Sequence, residues 1–172
     1  MKKLFLILIF ILSQIIFVSA NINIVFVDLN KIMSQSKIGS SILNQLNQIN
    51  SKNLKSFQDQ KKKLKEQETV LISQKNILSK KDFEIKVKKL KMEVKIYNEN
   101  RDEIINSFNK LKIDNTNKLL KMINVLLVKY SEEKSISLIL NKKDLVIGKK
   151  ELDITNEIIK IVNNNLTEFK VK

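Results

Sequence analysis

The chain contains no cysteine, histidine, proline or tryptophan, only two glycines, and Arg101 as its single arginine. Each absence removes a class of answers. Without cysteine there is no disulfide framework and no thiol chemistry, so packing and assembly must hold the fold. Without histidine the commonest general base and the commonest metal ligand are both missing. Zero proline and two glycines exclude a loop-rich fold, because these residues punctuate most turns. Acidic residues are also in the minority: 18 Asp and Glu against 32 Lys and Arg leave a formal net charge of +14. That excess favours acidic partners. Nucleic acid is not expected among them, since the cations are not interleaved with aromatic stacking platforms.

No catalytic constellation can be assembled from what remains. Asp102-Glu103 and Glu132-Glu133 are adjacent acids, which diverge on a helix instead of converging. Ser and Thr are plentiful, but without a histidine or a glycine-rich elbow none is a credible nucleophile. No phosphate loop or metal-ligand spacing occurs. The chain is therefore not expected to be an enzyme, nor to need a metal or cofactor.

What is present begins with an export signal. Lys2 and Lys3 precede a nearly continuous apolar run from Leu4 to Val18, and Val18-Ser19-Ala20 supplies small residues for cleavage. The run is shorter than the roughly 20 residues of a spanning helix, so cleavage after Ala20 is expected, leaving a mature chain from Asn21. Ile22 to Asp28 (INIVFVD) is a short β-branched run and reads as a strand. Asn30 to Gln35 suits a helical turn broken near Gly39, and from Ser40 the pattern is helical to Leu78. Leu43, Phe57, Leu64, Leu71 and Leu78 share one seven-residue repeat, with mostly polar companions: half a heptad seam.

The junction Leu78-Ser79-Lys80-Lys81-Asp82-Phe83 marks a fresh helix start. Ser79 and Asp82 form a capping box with Asp in place of Glu, and Leu78 with Phe83 can close as a hydrophobic staple. The return helix keeps alternating 4-and-3 spacing through Phe83, Val87, Leu90, Val94, Tyr97, Arg101, Ile104, Phe108, Leu111, Asn115, Lys118 and Met122. Heptads sustained beyond about 25 residues indicate a coiled coil. Farther on, Ile136 to Leu140 (ISLIL) and Leu145 to Ile147 (LVI) read as two strands of a hairpin, and Asp153 as the N-cap of a last helix.

The fold class that results is α+β and mostly helical, a long antiparallel coiled-coil hairpin arm on a small β-rich body. Residues 1–20 form the signal, 21–51 the first strand and arm base, 52–110 the arm with its tip near 79–82, and 111–172 the second arm base, strands and final helix. Such a body offers few fully buried side chains, so an obligate oligomer is expected.

This order of elements resembles the Skp family of periplasmic chaperones, also called OmpH. The resemblance rests on the signal peptide, the strand Ile24 to Asp28, Gly39 opening the descending arm, the strand Ser137 to Leu140, and Asp153-Ile154-Thr155-Asn156-Glu157-Ile158-Ile159 near the end. It covers nearly all of Asn21 to Asn163. It implies a periplasmic homotrimer whose arms enclose a cavity for unfolded outer-membrane proteins, held without ATP. It also implies contacts of arm cations with anionic lipid or lipopolysaccharide. The chain departs from the family in its short, glycine-free tip and in a positive charge that is almost wholly lysine.

Candidate site residues follow. Lys80 and Lys81 sit at the tip, where cations steer acidic clients. Ile85, Met92 and Ile96 project from the side of the return helix opposite the seam, and Val70 and Ile77 do likewise on the descending one, a discontinuous apolar stripe suited to weak client contacts. Val25, Val27, Leu138 and Leu140 are the candidates for the trimer body. The competing reading is a structural or adaptor coiled coil of the envelope, with one folded partner in place of many unfolded ones.

Overall fold

Asp28 ends the first strand and begins the first helix. The Lys31 amide donates to its Oδ1 at 2.9 Å, the N-cap bond that satisfies an otherwise orphaned helical donor. The computed structural model describes residues 22–171; the proposed export signal and its cleavage point lie outside them. Strand β1 spans Ile24–Val27, helix α1 Leu29–Gln35, α2 Lys37–Ser73, α3 Lys80–Glu133, strand β2 Leu138–Asn141 and α4 Thr155–Asn165, with two short 3-10 turns at Lys142–Asp144 and Lys150–Leu152.

The break between α1 and α2 falls at Ser36, and Gly39 lies inside α2 and does not interrupt it. Ser36 Oγ caps α2 by accepting from the Gly39 amide at 3.2 Å. A Cβ on Gly39 would stand 1.7 Å from the Met33 carbonyl oxygen, so the glycine serves the close approach of α2 to the end of α1.

Helix α2 ends at Ser73, five residues short of the expected Leu78. The Gln74 amide closes the last turn on Val70 and Leu71, and the Leu78 amide donates to the Gln74 carbonyl at 3.0 Å. Leu71 is the last buried side chain of α2, and the C-cap residue Gln74 is tied across to α3 by the Lys86 ammonium, which donates to its Oε1 at 3.0 Å. The start of α3 matches expectation. Ser79 is its N-cap, accepting from the Asp82 amide at 3.1 Å, but Asp82 Oδ2 accepts from the Ser79 hydroxyl at 2.6 Å and not from its backbone.

Along the arm the half-buried positions include Phe57 and Leu64 on α2 and Phe83, Val87, Leu90, Tyr97, Ile104, Phe108 and Leu111 on α3, so the heptad seam forms. The Tyr97 hydroxyl reaches across it to the Phe57 carbonyl at 3.4 Å. The expected seam is interrupted within the arm at Val94 and Arg101, which are exposed, and fails at both bases. Leu43 is exposed while Ile42 and Leu46 are buried, and Lys118 is exposed while Leu119 is buried. From Asn115 the buried positions run Asn115, Leu119, Ile123, Leu127, every fourth residue. There α3 packs into a globular core against α4 as well as α2, and its contact face follows the native helical twist instead of the coiled-coil 3.5 repeat.

Strands β1 and β2 pair in parallel, with Ile24 opposite Leu138, Val25 opposite Ile139, Phe26 opposite Leu140 and Val27 opposite Asn141. A parallel pair requires a crossover, and the entire helical hairpin is that crossover. Asp153 adds a single parallel bridge to Phe26, with the Ile154 amide donating to the Phe26 carbonyl at 3.0 Å. The expected second strand at Leu145–Ile147 does not form. Asn141 instead caps the 3-10 turn, and the chain does not return alongside β2. Val146 and Ile147 are left 104% and 90% exposed. An apolar β-branched run becomes a strand only where an edge is aligned to receive it.

The last helix begins two residues after Asp153. Ile154 holds the cap position without a side-chain bond, while Asp153 Oδ1 accepts from the Thr155 amide at 3.0 Å and from the Thr155 hydroxyl. Thr155 Oγ1 in turn accepts from the Asp28 amide at 2.9 Å, joining the start of α4 to the end of β1. The resulting body core contains Val25, Val27, Ile32, Ile38, Ile42, Leu46, Leu119, Ile123, Leu127, Tyr130, Ile154, Ile158 and Val162. It is larger than the sequence suggested, because the bases of both arm helices are folded into it.

Candidate functional site

The arm surface is built from the helical repeat outward. With the seam turned inward, residues on the remaining faces are held in water whatever their polarity. Ile85, Met92 and Ile96 are all exposed on α3, and Val70 is exposed on α2. Ile77 is 81% exposed, but it lies in the turn after Ser73 and not on the descending helix. Ile72 and Ile113 are exposed apolar residues that the sequence reading passed over; they fall outside both heptad frames, which was the available signal. Leu54, the one apolar companion position of the descending seam, is exposed as well.

Two shallow grooves flank the hairpin. One, of about 570 Å³, has a floor of Val70, Leu71 and Leu90 with Lys63, Lys86 and Lys89 among its rim. The other, of about 560 Å³, has Leu64, Leu90, Val94 and Tyr97 between Lys61, Lys65 and Lys91. Val70 is thus brought together with three lysines, whereas Ile77, Ile85, Met92 and Ile96 line neither groove. Lys63, Lys65 and Lys91, which were not among the candidate residues, are thereby placed beside apolar side chains.

Lys80 and Lys81 are exposed and occupy the first turn of α3. Cations at a helix N-terminus oppose the helix dipole, so helix stability does not explain them; Asp82 in the same turn offsets part of the effect. Elsewhere on the arm Lys62–Glu66, Lys89–Glu93 and Lys95–Glu99 are i,i+4 pairs at 3.7 to 3.9 Å. Exposed pairs of this kind contribute only about 0.3–0.5 kcal/mol each.

The four body candidates separate. Val25 and Val27 are buried within the single chain, Leu140 is half-buried, and Leu138 is 46% exposed. β1 pairs with β2 on one edge and bridges Asp153 on the other, and Val25 and Val27 belong to the body core, whereas Leu138 does not. Around it lies a groove of about 360 Å³ lined by Leu127, Val128, Ile136, Leu138 and Ile139 among others. Val125 and Val128 on α3 are also exposed. The run Val125-Leu126-Leu127-Val128 was the clue, since four consecutive apolar residues on a helix cannot all face one core.

The perturbed titrations belong to the body. Burial would raise the Asp153 carboxyl, but hydrogen bonds from Lys142 Nζ at 2.8 Å and from Thr155 outweigh it and hold Asp153 below its ordinary value. The same bond raises Lys142, whose ammonium also stands 5.7 Å from the Phe26 ring centroid. Burial, then the hydrogen bond to Glu157 and its charge, push the Tyr130 hydroxyl up to about 12. Among the described residues no group of three or more acidic, His or Cys side chains is placed to hold a metal ion, and no helix is long and apolar enough to cross a membrane.

Comparison with known proteins is consistent with this architecture. The family model for OmpH-like outer membrane proteins matches residues 23–162. Among solved structures the chain is similar to a candidate outer membrane chaperone (OmpH-like) of Caulobacter crescentus CB15, with a TM-score of 0.75 and 11% identity. That similarity covers 86% of this chain and 88% of the other, and at this identity it speaks to the fold. No curated protein matches the sequence.

Proposed function

The chain belongs to the OmpH-like outer membrane protein family, whose members are chaperones and not enzymes, and from that premise we propose an ATP-independent periplasmic holdase. Its clients are unfolded outer-membrane proteins, kept from aggregating between the arms of a homotrimer of the mature chain from Asn21. The observation that carries this reading is the arm surface: isolated exposed apolar residues and two open grooves whose linings mix apolar side chains with lysines and a few glutamates. Contacts of that kind bind each client segment weakly and gain strength only in number, which lets a client leave without an energy source. The exposed apolar set on the body, Leu138, Val125 and Val128, supports assembly through that surface, and anionic lipid suits the same arm cations.

The test is dilution of a urea-unfolded outer-membrane barrel into the mature protein without nucleotide. The barrel stays soluble at about one trimer per client, and capture slows as salt rises, because a Debye length of roughly 10 Å at 0.1 M screens the steering. Light scattering gives the trimer mass. A stable folded monomer, or a barrel that aggregates at the control rate, refutes the proposal.

A further inference from the structure

The end of the chain lies beyond both the family match, which stops at residue 162, and α4, which stops at Asn165. It is nevertheless seated. Leu166 leaves the helix in extended conformation, φ −119° and ψ 98°. Leu166, Phe169 and Val171 then pack half-buried against the body core, while Thr167, Glu168 and Lys170 face solvent. The seat is Gln45 on α2: its Nε2 donates to the Phe169 carbonyl at 3.0 Å, and its Oε1 accepts from the Val171 amide at 3.2 Å. Ser41 Oγ accepts from the same Nε2 at 3.2 Å and orients the amide.

One side chain thereby imitates a neighbouring β-strand. In a parallel ladder a residue bonds the carbonyl before and the amide after the residue it faces, and Gln45 does this around Lys170. Both hydrogen bonds go to main chain, so the seat reads an extended backbone and the apolar pair two residues apart, not a particular polar side chain.

We infer that the α2 surface around Gln45 is a second peptide-binding site, specific for an extended segment with apolar residues at alternate positions, and that the chain's own tail Leu166–Val171 is its resident, displaceable occupant. Among the described residues no helix or strand follows α4, so release of the tail disrupts none of them. Tethering keeps its local concentration high, and the seat opens only to a segment that competes. This site is separate from the arms and does not depend on the holdase reading.

The test uses the full chain and a fluorescein-labelled peptide of residues 166–172, followed by anisotropy. Phe169→Ser with Val171→Ser frees the seat, and peptide affinity rises about tenfold or more, since apparent affinity scales with the fraction of time the seat is open. Adding Gln45→Ala to that variant returns binding to background, and a scrambled peptide without apolar alternation does not bind. Unchanged affinity in a folded double variant overturns the inference. So does loss of helical circular dichroism or of cooperative melting in that variant, which makes the tail a fixed part of the core. In the unaltered chain the Val171 amide exchanges with solvent far faster than α2 amides; exchange only on global unfolding overturns displaceability. No outer-membrane client enters the assay, so its failure leaves the proposed function untouched.

Discussion

Arm and body share two helices yet obey different rules. Between residues 52 and 110 Leu71 is the one buried side chain among the described residues, whereas Ile32, Ile123, Ile158 and Val162 in the body are fully enclosed. The arm is a two-helix seam whose side chains each touch one partner helix. The body packs the same helices with α1, α4 and a sheet. Stability is therefore concentrated at one end and accessible surface at the other, so the arm can carry exposed isoleucines without their loss endangering the fold.

The largest test of that contrast pairs equivalent truncations. Ile123→Ala removes a fully buried side chain and costs about 2–5 kcal/mol. Leu64→Ala removes a half-buried one from the seam and costs about 1 kcal/mol or less, because less area leaves water. Urea titration followed by circular dichroism measures both. Equal costs would mean that the arm is packed in the assembly as tightly as the body.

Titration sharpens the contrast, because Asp153 and Tyr130, whose proton affinities the fold shifts, are both in the body. The Asp153 carboxyl is lowered in the fold, so its contribution is present above the unfolded value of about 3.9 and is lost as pH falls through the lower folded value. Lys142→Met removes the largest lowering partner and weakens that acid dependence. Tyr130 is raised to about 12, so stability is complete below the unfolded value near 10 and declines from there to about 12. Tyr130→Phe abolishes that alkaline decline. Melting temperature against pH shows both, while a helical signal dominated by the arm should follow only through global unfolding.

A smaller gain is available where arm returns to body. Helix α3 ends in a Schellman motif: the Ser135 amide donates to Glu132 and the Ile136 amide to Ser131, with Ser135 at φ 51° in the left-handed region. Glycine is the usual occupant. Ser135→Gly should stabilise by about 0.5–1 kcal/mol, seen as a higher urea midpoint, since the side chain is strained there.

The smallest stability effect is expected on the arm itself. Replacing Ile85, Met92 and Ile96 together with Ser should change stability by no more than about 0.5 kcal/mol per site, as for other exposed positions. Client release, followed by transfer to a second chaperone population, should nonetheless quicken, because many weak contacts set the off-rate. A variant that unfolds the arm would show that these residues are packed in the assembly, and unchanged release would remove them from the grip.

Much of this molecule was legible from local signals. Ser79 announced the start of α3 because a cap is satisfied within four residues, and the Phe83-to-Leu111 seam was readable because two helices alone impose a heptad. The stripe of exposed apolar residues followed from that same phase. Other features carried no local signal. Leu145–Ile147 looks like a strand by composition, yet Asn141 turns the chain away. Val25 and Val27 looked available for assembly, yet they are buried in the body core, whose other members come from distant helices. The move from Lys118 to Leu119 at the arm base occurs because a third helix arrives there, and no periodicity within α3 announces its approach.

By itself the sequence determined the chemistry open to this protein and the arm. Lacking His and Cys, it excluded most catalytic machinery, and a long heptad pattern without proline required extended antiparallel helices, because these depend on residues close in the chain. Only the tertiary structure decided the parallel pairing of β1 with β2, the burial of both arm bases in one core, and the seating of residues 166–171 on Gln45. Each joins segments at least some seventy residues apart, and at that separation the outcome rests on which surfaces complement one another, a property that no stretch of sequence possesses alone.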